Sequence, residues 1–372
     1  MNLVLSEEQR MIRDAAADFL ARASDSTALR AALESGADPA VWSTLAGELG
    51  WCAVPVAERH GGLGLGPVEL SLIQEQAGRR LLVSPFLATV ALGATILECV
   101  AEAKVQAEWL PRIAAGERTL AVPLTPSASG WRDAGLQALE GPAGWTLSGR
   151  IEAVLDGTRA DAWLLPAQTG EGSGWFLLSP DGAGSECRAV EGWDLSRPLA
   201  EIRLDGAGAR RIDDRDAGAP PWDQALARAR LYLAAEQLGG AQQCLDLTVA
   251  YLSERKQFGR TIASFQAVKH RCAEMMVAVE ATRSAVYGAA FVAANDSQEA
   301  ALDCAAARAL ADETFRHCAA EAIQLHGGVG FTWEYDPQLY FKRAWASRHA
   351  LGESAALRAL IADALLARTS HE

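Results

Sequence analysis

The chain has 372 residues, half of them hydrophobic, and a formal net charge of −13. That length exceeds one ordinary core, so two or three packed units are expected, and an acidic balance without any Lys/Arg run speaks against a nucleic-acid partner. No apolar run approaches a membrane span, and Glu7, Glu8 and Arg10 interrupt the N-terminus before a signal-peptide core forms, so a cytoplasmic protein is expected.

Ser6 and Gln9 have the spacing of a capping box, and Met11, Ile12, Ala15, Phe19 and Leu20 recur behind it at helical intervals. Helical text continues through "VWSTLAGELGW", breaks at "RHGGLGLGP" and resumes at "VELSLIQEQAGRRL", which predicts a helical unit over residues 1–118. From residue 119 the pattern changes to short apolar runs bounded by Gly, Pro, Asp and Ser: "WTLSGRIEAVLDG", "ADAWLLPA", "GWFLLSP" and "AEIRLDG". These predict a small antiparallel β-barrel unit over 119–218. Pro220 and Pro221 close it, since neither a strand interior nor a mid-helix position accepts them. Four long stretches with apolar stripes then predict a helical bundle over 219–372. The fold class is α+β: helices, a β-barrel, then a four-helix bundle.

Seven cysteines lie scattered without a C-x-x-C pair, and six histidines without an H-x-x-x-H pair. Reduced, buried thiols and no metal site are expected.

Two stretches carry chemistry. In "SERKQFGRTIASFQAV", residues 253–268, Arg255 falls in the last turn of one helix, Gly259 lets the chain turn, and Ser264 is placed to cap the next helix beside Gln266. A guanidinium, free helix N–H groups, an amide and the Phe258 ring can hold a dinucleotide; equally, Arg255 is a helix C-cap and Phe258 a core plug. In "AIQLHGGVGFTWEYDPQLYFKRA", residues 322–344, Gln324 ends a helix and Gly327, Gly328 and Gly330 permit close approach of a ligand to bare backbone.

"RKQFGRTIASFQAVKH", "IQLHGGVGFTWE", "LGWCAVPVAERHGGLGLGPVELSLIQEQAGR" and the three-unit plan together resemble the acyl-CoA dehydrogenase family over nearly the whole chain. The resemblance implies FAD as cofactor and an acyl-CoA thioester as substrate, desaturated between Cα and Cβ. It also implies that Arg255, Phe258, Gly259 and Gln266 reach across an interface to the ADP half of another subunit's FAD, with Gln324, Gly327 and Gly328 doing likewise for a further subunit.

That chemistry requires a carboxylate to remove the α-proton while a hydride leaves to the flavin. Of the family's two positions for this Glu, one falls here on Leu351, followed by Gly352, and the other on Ala229, beside Arg230. Neither side chain accepts a proton. Glu353 is the nearest carboxylate, placed as a weak candidate base or as a capping carboxylate of the last helix; Glu236 and Glu334 read as structural. Arg230 reads either as a residual CoA-side contact or as an Arg paired with a nearby acid.

"PLTPSASGWRD" and "GRIEAVLDG", with Ala153 and Leu155, depart from the segments that contact the flavin ring in the family. The pattern resembles the degenerate subunit of bacterial α2β2 steroid-type enzymes, with a catalytic paralogue as partner. A self-sufficient homotetramer using Glu353, a flavin monooxygenase on the same fold and a non-enzymatic assembly subunit stand beside it.

Overall fold

The computed structural model describes residues 4–125, 127–133, 135–213, 220–295 and 300–369. The helical N-terminal part comprises α1 (Glu7–Ala23), α2 (Ser26–Ser35), α3 (Pro39–Ser43), α4 (Pro67–Arg79), α5 (Thr95–Val100) and α6 (Ala103–Ala114), with a π-type helical stretch at Phe86–Ala94 before α5. The capping box forms as expected: the Gln9 N–H donates to Ser6 Oγ at 3.1 Å, and the Ser6 N–H to Gln9 Oε1 at 3.0 Å. The buried stripe of α1 is Ala16 and Leu20, flanked by Ile12 and Phe19, while Met11 and Ala15 of the expected stripe face outward.

Seven strands follow: β1 (Leu120–Pro123), β2 (Leu136–Gly141), β3 (Gly144–Leu155), β4 (Ala162–Thr169), β5 (Gly172–Leu178), β6 (Ser185–Val190) and β7 (Leu199–Arg211). The pairings β1–β3, β3–β7, β7–β5, β5–β4 and β4–β1 return to their start, so the sheet curls round its own core of Leu147, Trp163, Leu165, Phe176 and Ile202. Two pairings with β4, from β1 and from β2, are parallel, so the unit is not purely antiparallel as expected. Register shifts in β3–β7 mark bulges, one between Ile151 and Val154, where Ala153 adopts φ 52°.

The C-terminal part comprises α7 (Pro220–Glu254), a two-strand hairpin of β8 (Lys256–Gln257) and β9 (Arg260–Thr261), then α8 (Gln266–Asn295), α9 (Ala300–His326), α10 (Pro337–Ser347) and α11 (Ser354–Thr369). This is one helix more than expected: α10, beginning at Pro337, packs on α9. Buried α4 crosses α7 at van der Waals contact, because Gly78 and Gly239 stand at the crossing. A Cβ on either would lie 1.8 Å from a main-chain oxygen of the facing helix.

Helix directions fix where the motifs emerge. Gly240 of α7 meets the Phe315 ring of α9, and Tyr251 stacks on His326 at 4.4 Å, so the same eleven-residue step separates the contacts on both helices and the two run parallel. Helix α8 runs against them: Arg271 pairs with Glu321 at 2.5 Å, and the Thr282 hydroxyl meets Thr314 at 2.8 Å. The ends of α7 and α9 and the start of α8 therefore meet at one end of the bundle.

Candidate functional site

At that end the chain presents an open surface. Phe258 and Gly259 form the two-residue turn between β8 and β9, with φ of 53° and 76°, the sign both central residues of a type I′ hairpin require. Phe258 is 91 % exposed, so it plugs no core. Arg255 lies just beyond α7, and its exposed guanidinium makes no hydrogen bond or ion pair among the described residues. Ser264 does not cap α8. Its hydroxyl donates to the Thr261 carbonyl at 2.7 Å, inside a short 3-10 turn, and Phe265 stands immediately before the helix. Arg260 covers the Phe265 ring at 3.9 Å.

The second stretch stands beside the first. Gln324, Gly327 and Gly328 are exposed, Gly327 has φ 65°, and a Cβ on either glycine would meet nothing within 4 Å. Gly330 differs: it is buried, and a Cβ there would lie 2.8 Å from the Ile323 carbonyl oxygen. Two of the three glycines thus leave room for a ligand or neighbour, and the third serves packing. Burial lowers the pKa of His326, which keeps its ring neutral under Tyr251 while Nδ1 meets the Ala322 carbonyl at 2.7 Å. Glu334 is exposed in the following turn, its pKa lowered by hydrogen bonds to its own backbone N–H and to Thr332.

The other sequence-derived positions gather in the interior. Ala229 and Leu351 are both fully buried and belong to the main apolar cluster. Arg230, 4 % exposed, donates Nε to the Leu351 carbonyl at 3.0 Å and Nη2 to the Ala128 carbonyl. Burial, with Arg308 nearby, brings its guanidinium down to about 10. Fully buried Arg308 donates to the carbonyls of Ser347 and Ala350 at 2.8 and 2.9 Å, and Arg197 to the Ser347 hydroxyl at 3.0 Å. Three guanidiniums thus clamp the 347–351 turn. The Leu351 N–H closes it against the Thr125 carbonyl at 2.7 Å, with Leu351 at φ 57°. Glu236, also buried, bonds Arg197 and, at 2.6 Å, Arg343, which holds Asp194 at 2.8 Å. It is a structural carboxylate, as its sequence position suggests.

Glu353 directly precedes α11, where its carbonyl accepts the Leu357 N–H at 3.0 Å. Its half-exposed carboxylate is held by His349 Nδ1 at 2.5 Å. His349 itself lines two adjoining lobes of a cleft between the sheet and the bundle, of about 670 and 420 Å³, which share His349, Leu124 and Ala153. His349 was not among the sequence candidates; its spacing of four residues from Glu353 is the one signal that pairs them. Leu155 points into the core, and within "PLTPSASGWRD" Trp131 turns inward to meet Trp175 at 5.2 Å, which in turn lies tilted against Trp222 of α7.

Comparison with known proteins follows the same outline. Profiles of the acyl-CoA dehydrogenase N-terminal and C-terminal domains match residues 6–117 and 216–366. The chain is 34 % identical over 351 residues, 94 % of its length and 96 % of the relative's, to acyl-CoA dehydrogenase IpdE2 of Mycolicibacterium smegmatis. It is 33 % identical to IpdE2 of Mycobacterium tuberculosis, with 93 % of each covered. Among solved structures, the ChsE4-ChsE5 complex from Mycobacterium tuberculosis superposes with a TM-score of 0.89 at 27 % identity over 98 % of this chain and 99 % of that one. A Tcur3481-Tcur3483 steroid ACAD variant does so at 0.89 and 30 % identity, with the same coverage. No helix among the described residues is long and apolar enough to cross a membrane. The chain belongs to the acyl-CoA dehydrogenase family.

Proposed function

We propose that this chain is the non-catalytic subunit of a hetero-oligomeric acyl-CoA dehydrogenase. It completes the FAD site of a catalytic paralogue, which desaturates an acyl-CoA thioester, and it supplies no base. The observation that carries this reading is the contrast between its two ends. The two motif stretches are open to solvent, whereas both base positions are apolar and fully buried, Leu351 in a turn held by three arginines. The two-component neighbours, with the steroid ACAD among them, support a hetero-oligomer acting on a bulky acyl group; a heterotetramer in the cytoplasm belongs to the same proposal. Units divided near residues 118 and 218 belong to the same reading.

The residues present fit FAD at the bundle end. Arg255 and the first N–H groups of α8 would supply positive charge to a pyrophosphate, Phe258 offers an apolar ring, Gln266 and Gln324 offer amides, and Gly327 and Gly328 leave the backbone bare. When bound, the flavin supplies the hydride acceptor; this chain's part is to hold its nucleotide half. Arg230 is a staple between two carbonyls rather than a CoA contact, and Glu353 orients His349 at the cleft rim.

Expression alone and with the paralogue tests the proposal. The lone chain is expected colourless and the pair yellow. A lone chain that carries FAD and oxidises an acyl-CoA with an artificial acceptor would establish the homotetrameric reading with Glu353 instead. One that carries flavin but oxygenates would establish the monooxygenase, and absence of colour in both preparations would leave an assembly subunit.

A further inference from the structure

A groove of about 480 Å³ lies between α10 and the loop that joins β6 to β7. Trp193 and Leu195 line it from the loop, Gln338, Phe341 and Lys342 from α10, and Phe331 from the turn before α10. Trp193 is 78 % exposed, Phe331 67 % and Leu195 55 %. Phe341 links Phe331, at 6.3 Å between ring centres, to exposed Trp345 at 5.9 Å. Exposed Trp333 shares an adjoining recess with Trp193 and Leu195. Single exposed apolar residues are ordinary, but a contiguous patch of them marks a contact surface, and Trp is the residue type on which binding energy concentrates.

Two further features say what the patch would accept. Gln338 is 3 % exposed, and its amide makes no hydrogen bond among the described residues. Its Nε2 is sealed, which leaves Oε1 to accept from a donor arriving in the groove. Lys342 lies over the Trp333 ring at 5.9 Å and Arg348 over Trp345 at 5.5 Å, and neither pairs with a carboxylate among the described residues. The carboxylates beside them are taken: Arg343 holds Asp194 at 2.8 Å and Arg30 holds Asp336 at 2.6 Å, while Glu191 lines the 670 Å³ cleft.

An occupant that satisfies all three brings an apolar side chain, an N–H donor and a carboxylate close together, which is the chemistry of a polypeptide segment. A lipid tail has no donor for Oε1. Two copies of this chain meeting about a two-fold axis would set groove against groove and add the same cations. Phe331 closes the short 3-10 turn, Gly327–Phe331, that also carries Gly327 and Gly328, so the groove continues the surface assigned above to the paralogue. We propose that the groove docks an extended segment of the catalytic paralogue. Its apolar anchor sits between Trp193 and Phe331, a main-chain N–H meets Gln338 Oε1, and acidic side chains lie beside Lys342 and Arg348. For the identity of the partner this rests on the non-catalytic reading.

Sedimentation-velocity titration of the full-length chain against the paralogue tests it. Trp193→Ala with Phe331→Ala should leave the urea midpoint of the free chain unchanged, since both rings are exposed, and weaken the complex at least about thirtyfold. Gln338→Leu removes an unpartnered amide, so it should not lower that midpoint, yet it should weaken the complex about tenfold; a glutamine that serves only the fold would show the reverse. Lys342→Glu with Arg348→Glu should slow association and blunt its salt dependence. A complex of unchanged affinity in the aromatic double variant overturns the docking site and leaves the non-catalytic reading standing. Absence of any complex with the native chain overturns both. Self-association of the native chain, or its binding to phosphatidylserine vesicles, that Trp193→Ala removes would give the groove to a second copy or to a membrane and overturn the proposal.

Discussion

Arg255→Ala separates flavin-holding from folding. Its guanidinium is exposed and makes no internal bond among the described residues, so its removal should change folding stability by no more than about 0.5 kcal/mol. Against a flavin phosphate the same group supplies a charge-assisted hydrogen bond worth about 1.5–3 kcal/mol, which converts to a roughly ten- to hundredfold weaker FAD complex. Arg255→Lys keeps the charge without the planar fork and should fall between the two. The assay is FAD titration of the flavin-stripped complex with its paralogue, alongside a urea melt of the same preparation. An unchanged FAD dissociation constant in a normally assembled complex would refute the assignment, and so would a loss of FAD that merely tracks a lowered urea midpoint.

Glu353→Gln should leave turnover of the complex within about twofold, since this carboxylate holds His349 at the rim rather than a substrate proton; a drop of tenfold or more would make it the base. Arg343→Met removes one of two partners of buried Glu236 and the ion-pair partner of Asp194, and should cost about 3–5 kcal/mol in urea unfolding; a neutral result would show the network dispensable. Asp156 has a pKa raised from 3.8 to about 7 by burial, so the native state binds its proton more tightly than the unfolded one. Stability is therefore lost as pH rises from about 4 to 7, by up to about 4 kcal/mol. Asp156→Asn should remove that slope, so its advantage in urea midpoint grows between pH 5 and 8; parallel curves for the two proteins would contradict it.

Local patterns were legible where one cause acts alone. The Ser6–Gln9 box, the turn at Gly259 and the change of period near residue 119 each follow from short-range chemistry, and each appears in the structure. Ser264 shows the limit: a hydroxyl two residues before a helix has a nearby carbonyl as well as helix N–H groups to bond, and Thr261 takes it. Arg230 reads from sequence as a surface or ligand-binding cation because its partners are main-chain carbonyls 102 and 121 residues away, which no local pattern encodes. Asp156 followed by Gly157 reads as an ordinary turn pair; only burial by the N-terminal helices makes it unusual. The inward turn of Trp131 likewise depends on Trp175 and Trp222 from other elements.

The arginine clamps on the 347–351 turn bear on how such a protein evolves. A Leu351→Glu substitution would place a carboxylate in this turn, yet the guanidinium nearest it is already committed to two carbonyls and the side chain's niche is lined with hydrocarbon. Base chemistry at this position would therefore need several coordinated changes rather than one. On the proposed non-catalytic reading, such a turn ties the chain's usefulness to a partner that supplies the base.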